Sequence, residues 1–151
     1  MLKLEITNET KSRISKKTFD ELTSKFYKIL KKVVDKKLPK KGGLVDLVII
    51  NDEAMQAMNL EYREKDSPTD VLTFAYLEVT EHEKEAGDVI AADIFVSVDT
   101  AKRQAKEKGH KLQEEMKVLF VHGLLHAFGF DHRNDKEEAE MEKWAKKILG
   151  A

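Results

Sequence analysis

Leu2, Leu4 and Ile6 alternate with Lys3, Glu5 and Thr7, the period-two pattern of a half-buried strand. The period then lengthens. From Thr18 to about Leu38 the apolar residues Phe19, Leu22, Phe26, Ile29, Leu30 and Val33 recur at helical spacing, with Thr18 and Glu21 placed as a capping box. Pro39, Gly42 and Gly43 stop this helix. Leu44 to Ile50 reads as a buried strand, after which Asn51 or Asp52 caps a helix carrying Met55, Met58, Leu60 and Tyr62, the methionines as core filler. Ser67-Pro68-Thr69 breaks the chain, Val71 to Leu77 resumes as a strand, and residues 78 to 88 form a polar connection. Val89 to Val98 is a further strand. Asp99 or Thr100 starts the next helix, which Gly109 ends. Leu112, Met116, Leu119, Phe120 and Gly123 keep helical spacing up to Gly129. A last helix runs from about Asp135, with Glu138 as its capping partner, through Met141, Trp144, Ala145 and Ile148 to Gly150.

The order βα, βα, ββ, ααα predicts an α+β fold, a small mixed sheet of about four strands covered by helices. No repeat, low-complexity tract or linker divides the chain, so residues 1–151 are expected to form one domain. Cysteine is absent, which leaves His, Asp, Glu and water as metal ligands and oxygen or nitrogen groups as nucleophiles. No apolar run approaches the roughly 20 residues of a membrane helix, and the start of the chain lacks the apolar core of a signal peptide. A cytoplasmic protein without a membrane partner is expected. With 27 Lys and Arg against 28 Asp and Glu, the formal charge of −1 creates no global field for polyanions, so any nucleic-acid contact needs a local patch. Eight lysines between Lys25 and Lys41 are read first as a solvated helix face and second as an RNA or ribosome contact.

Three of the five histidines fall within His122-Gly-Leu-Leu-His126-Ala-Phe-Gly-Phe-Asp-His132. His122 and His126, four apart, stand one turn above each other on a helix. Gly129 can adopt the left-handed conformation that ends a helix, so the chain can fold back and deliver His132. The spacing HxxxHxxGxxH is that of the metzincin zinc site, which predicts a zincin-like metal helix. Gly123 stands where those proteases carry their Glu general base, which argues against their peptidase mechanism. Three neutral imidazoles suit one Zn²⁺ with a fourth position open; Ni²⁺, Cu²⁺ and Fe²⁺ share the preference for imidazole. Asp131 is a candidate fourth ligand or a partner orienting an imidazole. His82, in a polar loop, and His110, beside a helix-ending Gly, are read as solvated surface residues.

Upstream, Tyr62-Arg63-Glu64-Lys65-Asp66-Ser67-Pro68-Thr69-Asp70-Val71-Leu72-Thr73-Phe74 sets charges and a proline turn ahead of a strand. The planar guanidinium of Arg63 suits bidentate contact with phosphate. Together with HGLLHAFGFDH, this segment resembles the YbeY family of rRNA maturation factors, metal-dependent endoribonucleases specific for single strands. Asp93-Ile94-Phe95-Val96-Ser97, followed by Asp99-Thr100-Ala101, resembles a strand of the same family. The chain departs from the family pattern at Glu64 and Ala92, where the family has Gly, and at Ala75, where the family has Pro.

The resemblance implies a zinc-type ion on His122, His126 and His132, catalytic roles for Arg63 and Asp93 in the cleft, and phosphate contact from Arg63 and Lys65. It implies single-stranded RNA, rRNA in particular, as substrate, with small-subunit components or assembly factors as partners. Two rival readings belong to other classes. One is a non-catalytic RNA-binding assembly module rigidified by its metal, and the other is a zinc hydrolase of another substrate class.

Overall fold

In the computed structural model, residues 1–76 and 89–150 are described. The sheet is mixed because helices carry the chain back between its first strands, whereas its last two strands run in opposite directions. Strand β1 (Leu2–Asn8) leads through α1 (Lys16–Ile29) and α2 (Lys31–Lys37) to β2 (Gly43–Ile50). Then follow α3 (Asp52–Arg63), β3 (Val71–Ala75), β4 (Val89–Ser97), α4 (Val98–Lys108), α5 (Leu112–Ala127) and α6 (Asp135–Leu149). The strand order is β1-β2-β4-β3, with β1, β2 and β4 parallel and β3 antiparallel at the edge. The predicted α+β class is the observed one. Opposite Leu44 and Val45 the register shifts, and β4 accommodates the extra residue with Ala91 and Ala92, both fully buried.

The two faces of the sheet are covered unequally. Leu4, Val45, Leu47, Ile49, Ile94 and Val96 point to one face and pack against α1, α2, α5 and α6 in the main core. Phe19 meets Phe120 edge to face at 5.5 Å, and Phe26 meets Phe128 at the same distance. On the opposite face a smaller cluster of Val48, Ile50, Met55, Leu72, Phe74 and Phe95 lies beneath α3. Burial on both sides explains the unbroken apolar run Leu47–Ile50, while β1 keeps its alternation.

Several helix starts differ from the sequence-based expectation, and in each case a residue further upstream wins the cap. Ser15, not Thr18, caps α1: its Oγ accepts from the Thr18 N–H at 3.3 Å. The helix expected to run to Leu38 is divided at Leu30, whose non-helical backbone lets Phe26, Leu30, Val34 and Leu38 all reach the core. Ser97 caps α4 in place of Asp99 or Thr100, and Asn134 caps α6 in place of Asp135. Asn51 caps α3 as expected. Strand β3 ends at Ala75, so Leu77 and the connection 78–88, with His82, lie outside the described residues. Met55, Met116 and Met141 are core residues. Among the described residues no helix is long and apolar enough to cross a membrane.

Helix α5 is buried on most of its circumference, and at Gly123 its backbone lies directly on the sheet. A β-carbon at Gly123 would stand 2.7 Å from Ile94 Cγ2 and 3.2 Å from Thr73 Oγ1. The structure thereby gives a packing reason for the Gly in place of a Glu general base: the position has no room for a methyl group. Gly123→Ala should cost roughly 1–3 kcal/mol of stability by overpacking, despite the better helix propensity of Ala. Chemical denaturation checks this, and in an Ile94→Ala background the same change should cost much less.

Candidate active site

His122 and His126 leave the same side of α5 on successive turns. Gly129 then takes φ 99°, and the Gly129 and Phe130 N–H groups donate to the carbonyls of His126 and Leu125, a Schellman motif. The turn returns the chain so that the His132 ring lies 5.0 Å from that of His126, edge to face. Asp131 serves the turn, accepting from the His132 N–H at 2.8 Å and pairing with Arg133 at 3.3 Å. His122 and His126 both have pKa values below the ordinary imidazole range. Burial is the main cause, followed by repulsion from the neighbouring imidazole, His126 for His122 and His132 for His126. Asp70 partly offsets this at His122, as Asp131 does at His126.

A cleft of about 460 Å³ opens beside these rings, lined by Arg63, Thr69, Asp70, residues 71–73, Ala75, His126 and His132. Strand β3 forms its wall, and among the described residues its outer edge pairs with no other strand. Ser97 N–H donates to Asp70 O and Tyr76 N–H donates to Ala91 O, so the even-numbered residues between them bond to β4. Val71, Thr73 and Ala75 therefore turn their backbone groups away from β4. The Val71 N–H is taken by Asp70 Oδ1 at 2.8 Å. Those of Thr73 and Ala75 have no partner among the described residues. Sequence reading missed these two donors, because strand pairing decides which amides are left over.

Arg63 reaches the cleft from the end of α3, whose placement is fixed at both ends. At the start, Asp52 accepts from Ser97 Oγ and Thr100 Oγ1 at 2.6 Å each and pairs with Arg103 at 2.7 Å, while Asp99 accepts from the Asp52 N–H at 2.9 Å. At the end, buried Asn59 donates to the Ser67 carbonyl at 2.8 Å and accepts the Lys65 N–H through its backbone carbonyl. Between them Glu64 caps the helix in the left-handed conformation, φ 56°, and is the sole non-glycine with positive φ among the described residues. This is the position where the resembled family has Gly, and the backbone explains why. The Arg63 guanidinium has no hydrogen bond or ion pair among the described residues, Glu64 included.

The structure brings Arg63, His126 and His132 together around one cleft and does not bring in Asp93 or Lys65. Asp93 lies on β4 with its side chain on the face away from α5, where it accepts from Tyr76 Oη at 3.0 Å. Lys65 is exposed beyond the cap. His110, expected to be solvated, is half-buried: its Nε2 lies 3.5 Å from Glu115, a fully buried carboxylate that Lys108 pairs at 2.7 Å. As the side chains stand, no three His, Asp or Glu among the described residues form a group that could hold a metal ion. In chemical kind the donors nevertheless fit a transition metal: two imidazoles in contact and a third one turn away on the same helix, with burial lowering the pKa of His122 and His126.

The family model described as Endoribonuclease YbeY matches residues 5–151. The chain belongs to the YbeY family. Its relatives include Endoribonuclease YbeY of Heliobacterium modesticaldum, 46% identical over 112 residues, covering 70% of this chain and 67% of the relative. Endoribonuclease YbeY of Bacillus pumilus is 38% identical over 153 aligned residues, covering 98% of this chain and 93% of the relative. The solution structure of TM1509 from Thermotoga maritima shares the fold, with TM-score 0.61 and 21% identity over 99% of this chain and 90% of that one.

Two tests separate the strain and charge of this YbeY site. Glu64→Gly should relieve the left-handed strain and raise stability by about 0.5–1 kcal/mol, after the greater unfolded-state freedom of Gly is allowed for; chemical denaturation measures the change. For His122 and His126 the folded pKa lies below the unfolded value near 6.5, so below that pH the unfolded chain binds more protons. Metal-free protein should keep its full stability above about pH 6.5 and lose it as pH falls toward the folded values. Urea midpoints with chelator at about pH 7.5 and about pH 5.5 check this, and a His122→Gln/His126→Gln variant should flatten the difference.

Proposed function

We propose that this chain is a metal-dependent endoribonuclease that cuts single-stranded RNA in the cytoplasm during rRNA maturation and ribosome assembly. The observation that carries the reading is the Arg63 guanidinium, unpaired among the described residues, sharing one cleft with His126 and His132 in a chain of the YbeY family. RNA is the substrate that the family's name points to, and the cleft offers chemistry for its backbone. Arg63 binds the scissile phosphate by charge-assisted hydrogen bonds and stabilises charge that grows on its oxygens as the bond breaks. The Thr73 and Ala75 amides, rigid on the edge of β3, donate to further backbone oxygens of the strand and hold it along the wall. His122, His126 and His132 would hold one Zn²⁺-type ion. When bound, such an ion supplies Lewis-acid charge beside the phosphate and lowers the pKa of a water ligand. Asp70 keeps the β3 turn closed through Val71 N–H and Gln104, and its charge faces His122.

Peptide hydrolysis is disfavoured by a specific contact. The Glu general base of metzincins would have to occupy position 123, where Ile94 and Thr73 fill the space that a side chain would need.

Elemental analysis of the purified protein, followed by single-stranded RNA cleavage, tests the proposal. Stoichiometric transition metal is expected, with cleavage lost on chelation and in His126→Ala. Arg63→Ala should lower kcat by roughly 10²–10³, the cost of removing one transition-state donor, with Arg63→Lys falling between. Unchanged cleavage by Arg63→Ala, or cleavage that survives both His126→Ala and chelator, overturns the assignment.

A further inference from the structure

Beyond the cleft, the lysines of α1 and α2 are arranged in a way that solvation alone does not require. Phe26, Leu30, Val34 and Leu38 form the buried line of these two helices. Lys28, Lys32 and Lys36, each offset from that line by two residues, are exposed on the opposite side, with Lys25 one turn earlier. Lys25 and Lys28 lie on α1, and Lys32 and Lys36 on α2 beyond the break at Leu30. None of these four lysines has an ion-pair or hydrogen-bond partner among the described residues. Asp35, the single acid between Lys25 and Lys41, is engaged by Lys31 and Tyr27. Like charges at i, i+4 repel along a helix, and a solvated helix ordinarily relieves this by alternating signs. Here the repulsion is left in place in a chain whose formal charge is −1.

Next to Lys36, half-buried Lys37 turns toward the histidine turn, where a β-carbon on Gly129 would lie 2.7 Å from Lys37 Nζ. A cavity of about 320 Å³ separates α2 from this turn, bordered by Val33, Lys37, Phe130, Asp131 and Arg133, with Glu137 and Glu140 from α6. Two of its acids, Asp131 and Glu137, are paired by Arg133. His132, on the same turn, lines the cleft.

We propose that Lys25, Lys28, Lys32 and Lys36, with Lys37 toward the cleft, bind the phosphates of the RNA strand that extends beyond the cleft. This rests on the reading of the cleft as an RNA site. It assigns the protein a second contact surface for the same strand, with affinity that depends on RNA length. Lysine suits the task, because flexible point charges follow a backbone without reading its bases.

The test compares wild type with Lys28→Gln/Lys32→Gln/Lys36→Gln, using a single-stranded hexanucleotide and a strand four times as long, over a range of salt. Each phosphate of a single strand that no longer meets a lysine lowers the slope of log K against log salt by about 0.7, so the triple variant should lose about 2 on the long strand. Its affinity for that strand at low salt should fall roughly tenfold or more. Binding and cleavage of the hexanucleotide, and the unfolding midpoint, should stay as in wild type, and the Lys→Arg triple variant should keep the wild-type slope. Equal slopes for variant and wild type on the long strand overturn the proposal, as does an equal reduction on both lengths. Wild type that neither binds nor cuts the hexanucleotide overturns the reading of the cleft and this proposal with it, whereas a hexanucleotide bound and cut as expected, with equal slopes on the long strand, overturns this proposal alone.

Discussion

The approach of α5 to the sheet at Gly123 sets the position of the histidines beside the cleft. A helix normally stands off a sheet by the length of its side chains. Here the missing side chain lets the α5 backbone rest against Ile94 and Thr73, which brings His126 beside the edge strand rather than above the core. The same contact settles a chemical question. A residue that must be Gly for packing cannot also be a carboxylate base, so the motif keeps the histidine spacing of a metzincin while losing the group on which peptide hydrolysis depends.

Around that contact the structure holds its charged groups in two different ways. Asp52 and Asp99 lock the starts of α3 and α4 to each other through hydroxyls, an amide and Arg103, so α3 enters the site at a fixed angle. Glu115 is buried beneath Lys108 and His110, where loss of a partner would leave an uncompensated charge, a defect worth several kcal/mol. Arg63 is the contrast: it ends a well-anchored helix, yet its own guanidinium is unpaired among the described residues. Anchored backbone with a free cationic head is the combination expected of a group kept for a ligand.

How much of this could be read from residues alone follows from the range of the interactions involved. The strands, the helices and the α+β class came from periodicities of two and 3.6, which the buried faces then obeyed. Gly109, Gly129 and Gly150 were legible as helix ends because positive φ is a local property. The caps were less so. Ser15, Ser97 and Asn134 displaced the expected Thr18, Asp99 or Thr100, and Asp135, since several cap-forming residues adjoin each helix and small differences in backbone direction choose among them. His110 looked like a surface residue, because the buried Glu115 that faces it lies on the following helix.

By itself, then, the sequence determined the order of elements, the three-histidine spacing and the turn at Gly129, all consequences of neighbours within a few residues of one another. Tertiary structure alone decided that Arg63, His126 and His132 line one cleft along β3, that Asp93 faces the other side of the sheet, and that the Thr73 and Ala75 amides have no partner among the described residues. Those outcomes depend on strand order and register, which are fixed by burial of two opposite faces at once and are carried by no single segment of the chain.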